Sequence, residues 1–428
     1  MATRKSPKVT PLQPRGTKIR AVPAIYRLTN TVQHYDWGSY TDIRGLLGTP
    51  DSGQPEAELW LGAHPSAPSL AQPWDDASAE QVPLDQLIHH SPVEMLGNRI
   101  LDTFGPRLPY LMKVLAADRA LSLQVHPAAH HARAGFNREN REQVPVTAPN
   151  RNFRDANHKP EMIVAITEFH ALAGLRAPRV VLRMLEGLSG RLFDLIRDAI
   201  SQNPGPVGLK IALSELLSQR GDPNLASDLI EAISAIRSRM QTATQYQIAD
   251  QTAVDLAEQF PDDVGALSSY LLNRVNLLPG EALFLEDGEV HAYLKGLGVE
   301  VMASSDNVLR AGLTSKHIDV PALLECMSFR PRMPYRPEQI EVGEISRSFT
   351  YRPPAEEFAL TIFDLNQDSP LPVRHEGPRT ILVLEGTAML AFGNEEIVLN
   401  RGVSVFVPAE IGAAQLSGYG QAACAWVP

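Results

Sequence analysis

The apolar and polar positions of this chain fall into three textures. From Tyr26 to about Leu175, short apolar runs are broken by Pro, Gly, Asn and Asp. Tyr110–Leu115, Leu121–His126 and Met162–Ile166 have the length and composition of strands. The polar stretch from Ala132 to Lys159 reads as loop with a short helical start. From about Pro178 to Asn276 the period changes. Val181, Leu182, Leu185, Leu188, Leu192, Leu195 and Ile196 recur at helical spacing, as do Leu225, Leu229, Ile233 and Ile236. Gly221-Asp222-Pro223 reads as a turn between helices. After Leu277 the strand texture returns and persists to the end, punctuated by Gly and Pro as in an all-β barrel or sandwich.

A weak internal repeat sharpens this picture. Leu277-Leu278-Pro279-Gly280 is followed by Phe284, four residues after the glycine, and Leu399-Asn400-Arg401-Gly402 is followed in the same way by Phe406. Both fit a turn feeding a buried strand in a jelly-roll barrel of the cupin kind. Eleven residues after the first glycine stands His291, and eleven after the second stands Ala413. The expectation is a mainly β protein: two cupin-like jelly-roll barrels with an inserted α-helical domain. Its parts would be a disordered basic tail over 1–22, a catalytic cupin-like domain over 23–177 plus 277–330, a helical domain over 178–276 and a C-terminal cupin-like domain over 331–428.

Composition narrows the classes. With 44% apolar and 21% charged residues the chain has the balance of a protein that buries a normal core. Its 39 Lys/Arg against 49 Asp/Glu give a net charge of −10, which disfavours nucleic acid as a partner and leaves an anionic small substrate open. Cys326 and Cys424 are far apart, so neither a disulfide framework nor a thiolate metal site is indicated and a reducing, cytoplasmic setting is expected. No apolar run approaches membrane-spanning length. The first twenty residues hold six Lys/Arg, no acid, and Pro7, Pro11 and Pro14, without the apolar core of a secretion signal. Nothing in the chain demands an oligomer, so a monomer is the default.

Candidate chemistry gathers at four places. Gln124 and His126 are two apart at the end of a strand-like run and therefore share a face. Glu161 opens the apolar run Met162–Ile166, where a carboxylate is costly unless it is paired or binds a cation. His291 stands in Gly288-Glu289-Val290-His291-Ala292-Tyr293-Leu294, after the Gly280 turn. Each alone reads more readily as an ordinary polar residue at a strand end. Together, two imidazoles, one carboxylate and one amide suit Zn²⁺, or Fe²⁺ as second choice, with positions open for water or substrate.

These residues sit in blocks that resemble the type I mannose-6-phosphate isomerases. The blocks are His34-Tyr35-Asp36-Trp37-Gly38-Ser39, Glu58-Leu59-Trp60-Leu61-Gly62-Ala63-His64-Pro65-Ser66, Leu111-Met112-Lys113-Val114-Leu115, Leu121-Ser122-Leu123-Gln124-Val125-His126-Pro127, Asn157-His158-Lys159-Pro160-Glu161-Met162, and the run from Ser305 to Lys316. The resemblance implies one zinc per chain, held by Gln124, His126, Glu161 and His291, and interconversion of mannose 6-phosphate and fructose 6-phosphate on the way to GDP-mannose. It also implies that Arg310 is catalytically important and that Lys159 and Asp306 lie beside the substrate. Two segments depart from the family pattern. Ala128-Ala129-His130-His131 stands where many members carry acids, and Glu286-Asp287-Gly288-Glu289-Val290 makes the approach to His291 unusually acidic.

The reaction so implied needs ring opening, a base at C2, an acid at the carbonyl oxygen and stabilisation of a cis-enediol. Lys159 is the candidate base, with Asp306 or Glu300 as carboxylates for ring opening or proton relay. Arg310 offers a planar fork to two oxygens. Lys316, Ser122 and Lys113 are candidate phosphate contacts, and Tyr293 the aromatic that touches sugar; Trp37 and Trp60 read as wall residues, and Glu58 as support for a ligand. Two other classes compete. A non-haem iron oxygenase would use His126, Glu161 and His291 but leaves Gln124 in a position oxygen needs. A non-catalytic sugar-phosphate binder would be expected to have lost a ligand, and none is lost.

Overall fold

The computed structural model describes residues 24–242 and 244–428. The basic tail expected over 1–22 lies outside the described residues. The structure is mainly β, with a 10-stranded and an 11-stranded sheet and twelve α-helices among the described residues.

The 10-stranded sheet is organised by one long strand, His291–Ala303. Its second half pairs with Tyr110–Ala117 on one side and Glu161–Ala165 on the other. Its first half pairs with Leu123–Val125 and Phe169–Leu175. A register shift between Tyr293 and Lys295 bends the strand between the two halves, as an extra residue in a ladder does. One strand thus borders two walls of the same site.

The period of two then decides which side chains look inward. Along Tyr110–Ala117, Met112, Val114 and Ala116 pack into the core shared with the second sheet, while Leu115 and Ala117 join the inner cluster. Met162 and Val164 face the shared core, and Ile163 and Ala165 face inward. The outward neighbours Leu59, Leu61, Val299 and Val301 follow the same rule. Lys113, Glu161, Glu58, Trp60 and Glu300 occupy the alternate, inward positions of these strands.

In the 11-stranded sheet the long strand Arg379–Phe392 pairs with Glu395–Asn400, Ser404–Val407 and Ala414–Trp426. The N-terminal strand Tyr26–Thr29 joins this sheet, against Ser404–Val407, rather than the sheet built from its sequence neighbours. The repeat seen in the sequence is present element by element. Gly280 and Gly402 both turn at positive φ (85° and 78°), and Phe284 and Phe406 lie in the strands Ala282–Leu285 and Ser404–Val407 that follow. His291 then begins a strand of 13 residues and Ala413 precedes another of 13.

Helices Pro178–Met184, Arg191–Gln202, Pro206–Ser218, Leu225–Met240 and Gln247–Gln259 lie between strands Phe169–Leu175 and Leu272–Leu277, which pair with each other. The helical texture ends sooner than the sequence pattern suggested: from Leu272 the chain is already strand, with Val275 and Leu277 buried on one face and Leu272 in the helical core. The short helical start expected for the polar stretch from Ala132 is a helix of 13 residues, Ala129–Arg141, whose buried Ala132 and Gly135 fix its inner face. The helices share a core with the sheet through Leu123, Val125, Leu172, Val290 and Leu309. A buried polar knot ties them down: Asp250, fully buried, accepts from Arg239 Nε at 2.9 Å and from the Tyr270 hydroxyl at 2.7 Å. Removing one partner of a buried ion pair strands the other, so Asp250→Ala should destabilise the protein by about 3–5 kcal/mol in urea unfolding. A loss under about 1 kcal/mol would mean the knot is not holding the helices.

Candidate active site and metal centre

His126, Glu161 and His291 bring their ligand atoms within 4.8 Å of one another, all buried. Glu161 Oε1 is 3.2 Å from His126 Nε2 and its Oε2 is 3.5 Å from His291 Nε2. The Gln124 amide lies 3.3 Å from His291 Nε2, because Gln124 and His291 are register partners on adjacent strands. The four residues named from the sequence therefore converge on one point, from strands Leu123–Val125, Glu161–Ala165 and His291–Ala303.

Both rings are oriented from behind. His126 Nδ1–H donates to the Asn307 carbonyl at 2.7 Å, and His291 Nδ1–H donates to the Glu289 carbonyl at 2.9 Å. With Nδ1 protonated, each neutral ring presents an Nε2 lone pair to the centre, the state a metal ligand requires. Burial pushes the His126 imidazole down to about 4, so it stays neutral there. Burial alone would raise the Glu161 carboxyl, but the Lys159 ammonium beside it works the other way and helps hold it below the usual carboxylate range. His126 Nε2 and Glu161 Oε2 are buried with no hydrogen-bond partner. Two unsatisfied acceptors aimed at one point are costly unless a cation sits between them, so the donor set fits a divalent metal of the nitrogen- and oxygen-binding kind.

The cluster borders a cavity of about 740 Å³ through Glu161 and Gln124, which line it. Seven Lys/Arg and five Asp/Glu line it, so the cavity is cationic in a chain whose net charge is −10. Every substrate-side residue expected from the sequence lines it: Lys113, Ser122, Lys159, Tyr293, Asp306, Arg310 and Lys316. Their partners differ. Lys159 Nζ pairs with Glu161 Oε1 at 2.9 Å. Lys113 Nζ lies 3.0 Å from Glu300 and 3.4 Å from Glu58; burial would lower its pKa, but these carboxylates raise it. Tyr293 donates its hydroxyl to Glu300 at 3.0 Å, and the Trp60 indole N–H donates to Glu58 at 2.8 Å.

Arg310 lies in the strand Leu309–Gly312, opposite Gln124. It makes no ion pair with Asp306. Asp306 instead accepts from the Ser66 hydroxyl at 2.9 Å and lies 3.6 Å from His64 Nε2. Arg310 has no hydrogen-bonding or ionic partner among the described residues, and burial followed by the charge of Arg154 lowers its pKa. Lys316 is at the exposed rim with its ammonium end half covered, and is lowered by that cover, then by Arg310 and Arg154. Arg310, Arg154 and Lys316 thus act on one another as like charges in the cavity, with none of the three in a salt bridge among the described residues, an arrangement a phosphate-sized dianion relieves.

Two residues carry more than sequence reasoning gave them. Arg154 sits in a polar stretch with no periodicity to mark it. Asn307, fully buried, accepts from the backbone N–H of Arg154 and Asp155 and donates to the carbonyls of Asp155 and Asn157, while its own carbonyl orients His126. Its only sequence signal was an amide inside a polar turn.

With this geometry in place, comparison with known proteins decides the family. The profile described as phosphomannose isomerase type I, catalytic domain, matches residues 25–178, and that of the mannose-6-phosphate isomerase cupin domain matches 348–427. Mannose-6-phosphate isomerase of Escherichia coli K12 is 35% identical over 403 residues, covering 93% of this chain and 98% of that protein. The chain belongs to the type I phosphomannose isomerase family. The mouse mannose-6-phosphate isomerase is 32% identical over 91% of this chain and 94% of its own. Among solved structures, a point mutant of phosphomannose isomerase from Salmonella typhimurium superposes with a TM-score of 0.84 at 33% identity, covering 94% of this chain and 99% of that one. A mannose 6-phosphate isomerase bound with zinc and yttrium gives a TM-score of 0.83 at 34% identity over the same shares. Within the family fold, Asn307 joins the His126 ring to the 154–157 loop. Asn307→Ala keeps the backbone carbonyl that accepts from His126 but frees it from the 154–157 loop, so metal binding should weaken about tenfold, measured by chelator competition. Unchanged affinity would mean the ring is held without it.

Proposed function

We propose that this protein is a zinc-dependent aldose–ketose isomerase that interconverts mannose 6-phosphate and fructose 6-phosphate through a cis-enediol. The observation that carries the reading is a buried His126–Glu161–His291 cluster whose Glu161 lines a cationic cavity, in a chain of the type I phosphomannose isomerase family. In this reading the chain is two cupin-like barrels with an inserted helical domain, acting as a monomer. The 277–330 segment completes the catalytic barrel begun by 23–177.

Zinc would be held by Gln124, His126, Glu161 and His291, and when bound supplies Lewis-acid polarisation of substrate oxygens. The chain's own groups do the rest. Arg310, Arg154 and Lys316 attract the phosphate or a developing oxyanion, the bidentate Arg310 fork being the best shaped for two oxygens. Lys159, against Glu161 at 2.9 Å, is placed to exchange a proton at C1 or C2 once the substrate displaces that pairing. Asp306, with Ser66 and His64 behind it, is the candidate for ring opening. Lys113, Ser122 and Tyr293 complete the wall against the sugar, with Glu300 joining Lys113 to Tyr293. The unpaired cations of the cavity support a phosphorylated sugar over an uncharged one, and the Gln124 amide at the metal point disfavours an oxygen-binding site.

A coupled assay for fructose 6-phosphate formed from mannose 6-phosphate tests this directly. Turnover should disappear on chelation, return with Zn²⁺, and be absent in His291→Ala. A folded, zinc-loaded protein without turnover would overturn the isomerase reading. Two arginines should separate in the same assay. Arg310→Ala should lower kcat/KM by about 10²–10³-fold if it meets charge that develops during reaction. Arg154→Ala should chiefly raise KM, because a phosphate contact is equal in ground and transition states.

A further inference from the structure

His158 lies in the Asn157–Glu161 segment and faces away from the metal point. Its Nδ1 is 3.0 Å from Asp287 Oδ2 and its Nε2 is 2.6 Å from Glu357 Oε1. A ring with a carboxylate at each nitrogen donates from both and is therefore an imidazolium. The two acids come from different parts of the fold. Asp287 is in the turn ahead of His291, and Glu357 is in the turn ahead of Ala359–Leu365, a strand of the 11-stranded sheet. Asp287 Oδ1 and Glu357 Oε2 are buried without a hydrogen-bond partner, and the imidazolium between the two carboxylates is the cation that pairs with both.

The position of this ring in the chain gives the contact its consequence. On one side of it Asn157 is fixed by Asn307 Nδ2 on its carbonyl at 2.8 Å. On the other, Pro160 keeps Lys159 extended, and the Pro160 carbonyl accepts from Ala303 N–H at 3.0 Å. His158 fixes the residue between these anchors, next to Lys159. The acidic approach to His291 is also accounted for residue by residue: Glu286 and Glu289 both pair with Arg332, and Asp287 pairs with His158.

We propose that Glu357, in the C-terminal cupin domain, is a positioning residue for the active site: by holding His158 against Asp287 it fixes both the Lys159–Glu161 segment and the turn that delivers His291. The inference rests on the isomerase reading above. The charged groups that face the ring are Asp287 and Glu357, and hydrogen bonding to them raises the imidazole from 6.5 to about 10. Burial opposes ionisation of Glu357, but His158 holds its carboxyl below the ordinary 4.5. The raised imidazole contributes its full stabilisation below 6.5 and loses it as pH rises through about 10. The lowered carboxyl contributes fully above 4.5 and loses that as pH falls through its folded value. The contact is therefore closed throughout the neutral range.

The test compares Glu357→Gln, Glu357→Asp and, as a control, Glu356→Gln at the exposed neighbouring position. The zinc-loaded proteins are assayed with mannose 6-phosphate across pH, and the metal-free proteins are followed by hydrogen–deuterium exchange. Glu357→Gln should lower kcat about tenfold with KM little changed, the order of loss expected when a supporting group is removed. It should also bring a new alkaline limb toward neutrality, as His158 loses one of its two carboxylates, and speed exchange in residues 155–162 and 286–291. Glu357→Asp should recover part of each effect, and Glu356→Gln should match the unaltered protein. Unaltered kcat, pH profile and local exchange in Glu357→Gln would overturn the proposal, as would faster exchange spread evenly over the whole chain. If the unaltered protein shows no turnover, the isomerase reading fails, and the exchange comparison still decides whether Glu357 holds these two segments.

Discussion

The arrangement of this protein depends on one buried carboxylate. Glu161 opens an apolar strand and sits within 3.5 Å of two imidazoles, where an ionised group without compensation would not be tolerated. Its companions are set so that compensation comes from a cation. His126 and His291 each spend Nδ1–H on a backbone carbonyl and present Nε2, and Lys159 supplies the nearest fixed positive charge. The long strand His291–Ala303 makes the meeting possible, because it pairs with the strands that carry Gln124 and Glu161.

Around that point the charges are sorted by depth. Lys113 is matched by Glu58 and Glu300 within the wall, a closed set whose members satisfy one another and fix Trp60 and Tyr293. Arg310, Arg154 and Lys316 are left unmatched in the cavity. Paired charges make a rigid wall, and unpaired ones make an attractive field for an anion. The overall charge of −10 therefore says little about what enters the cavity.

Outside the cavity, the supporting contacts reach across the fold. Asn307 joins the His126 ring to the 154–157 loop, and Arg332 and His158 hold the acidic turn before His291. The acids that set this chain apart near His291 are thus each paired with a cation from elsewhere in sequence, Glu286 and Glu289 sharing Arg332 and Asp287 sharing His158 with Glu357. They act on the shape of the turn and not on the metal point directly.

The sequence by itself determined the strand and helix textures, because apolar periods of two and of 3.6 follow from backbone geometry alone. It also determined the candidate ligands, since Gln124 and His126 share a strand face and Glu161 is a charge where an apolar run begins. The internal repeat of turn and strand was legible for the same local reason. Other features were decided only by the tertiary structure. Tyr26–Thr29 pairs with Ser404–Val407, far away in sequence, and Arg310 lies in a strand because Gln124 is its neighbour across the sheet. Arg154, Asn307 and Glu357 carry no periodic signal; their roles come from partners that pairing brings close. Local chemistry fixes which face a side chain takes, but which charges end up matched and which remain free is settled by contacts between distant segments.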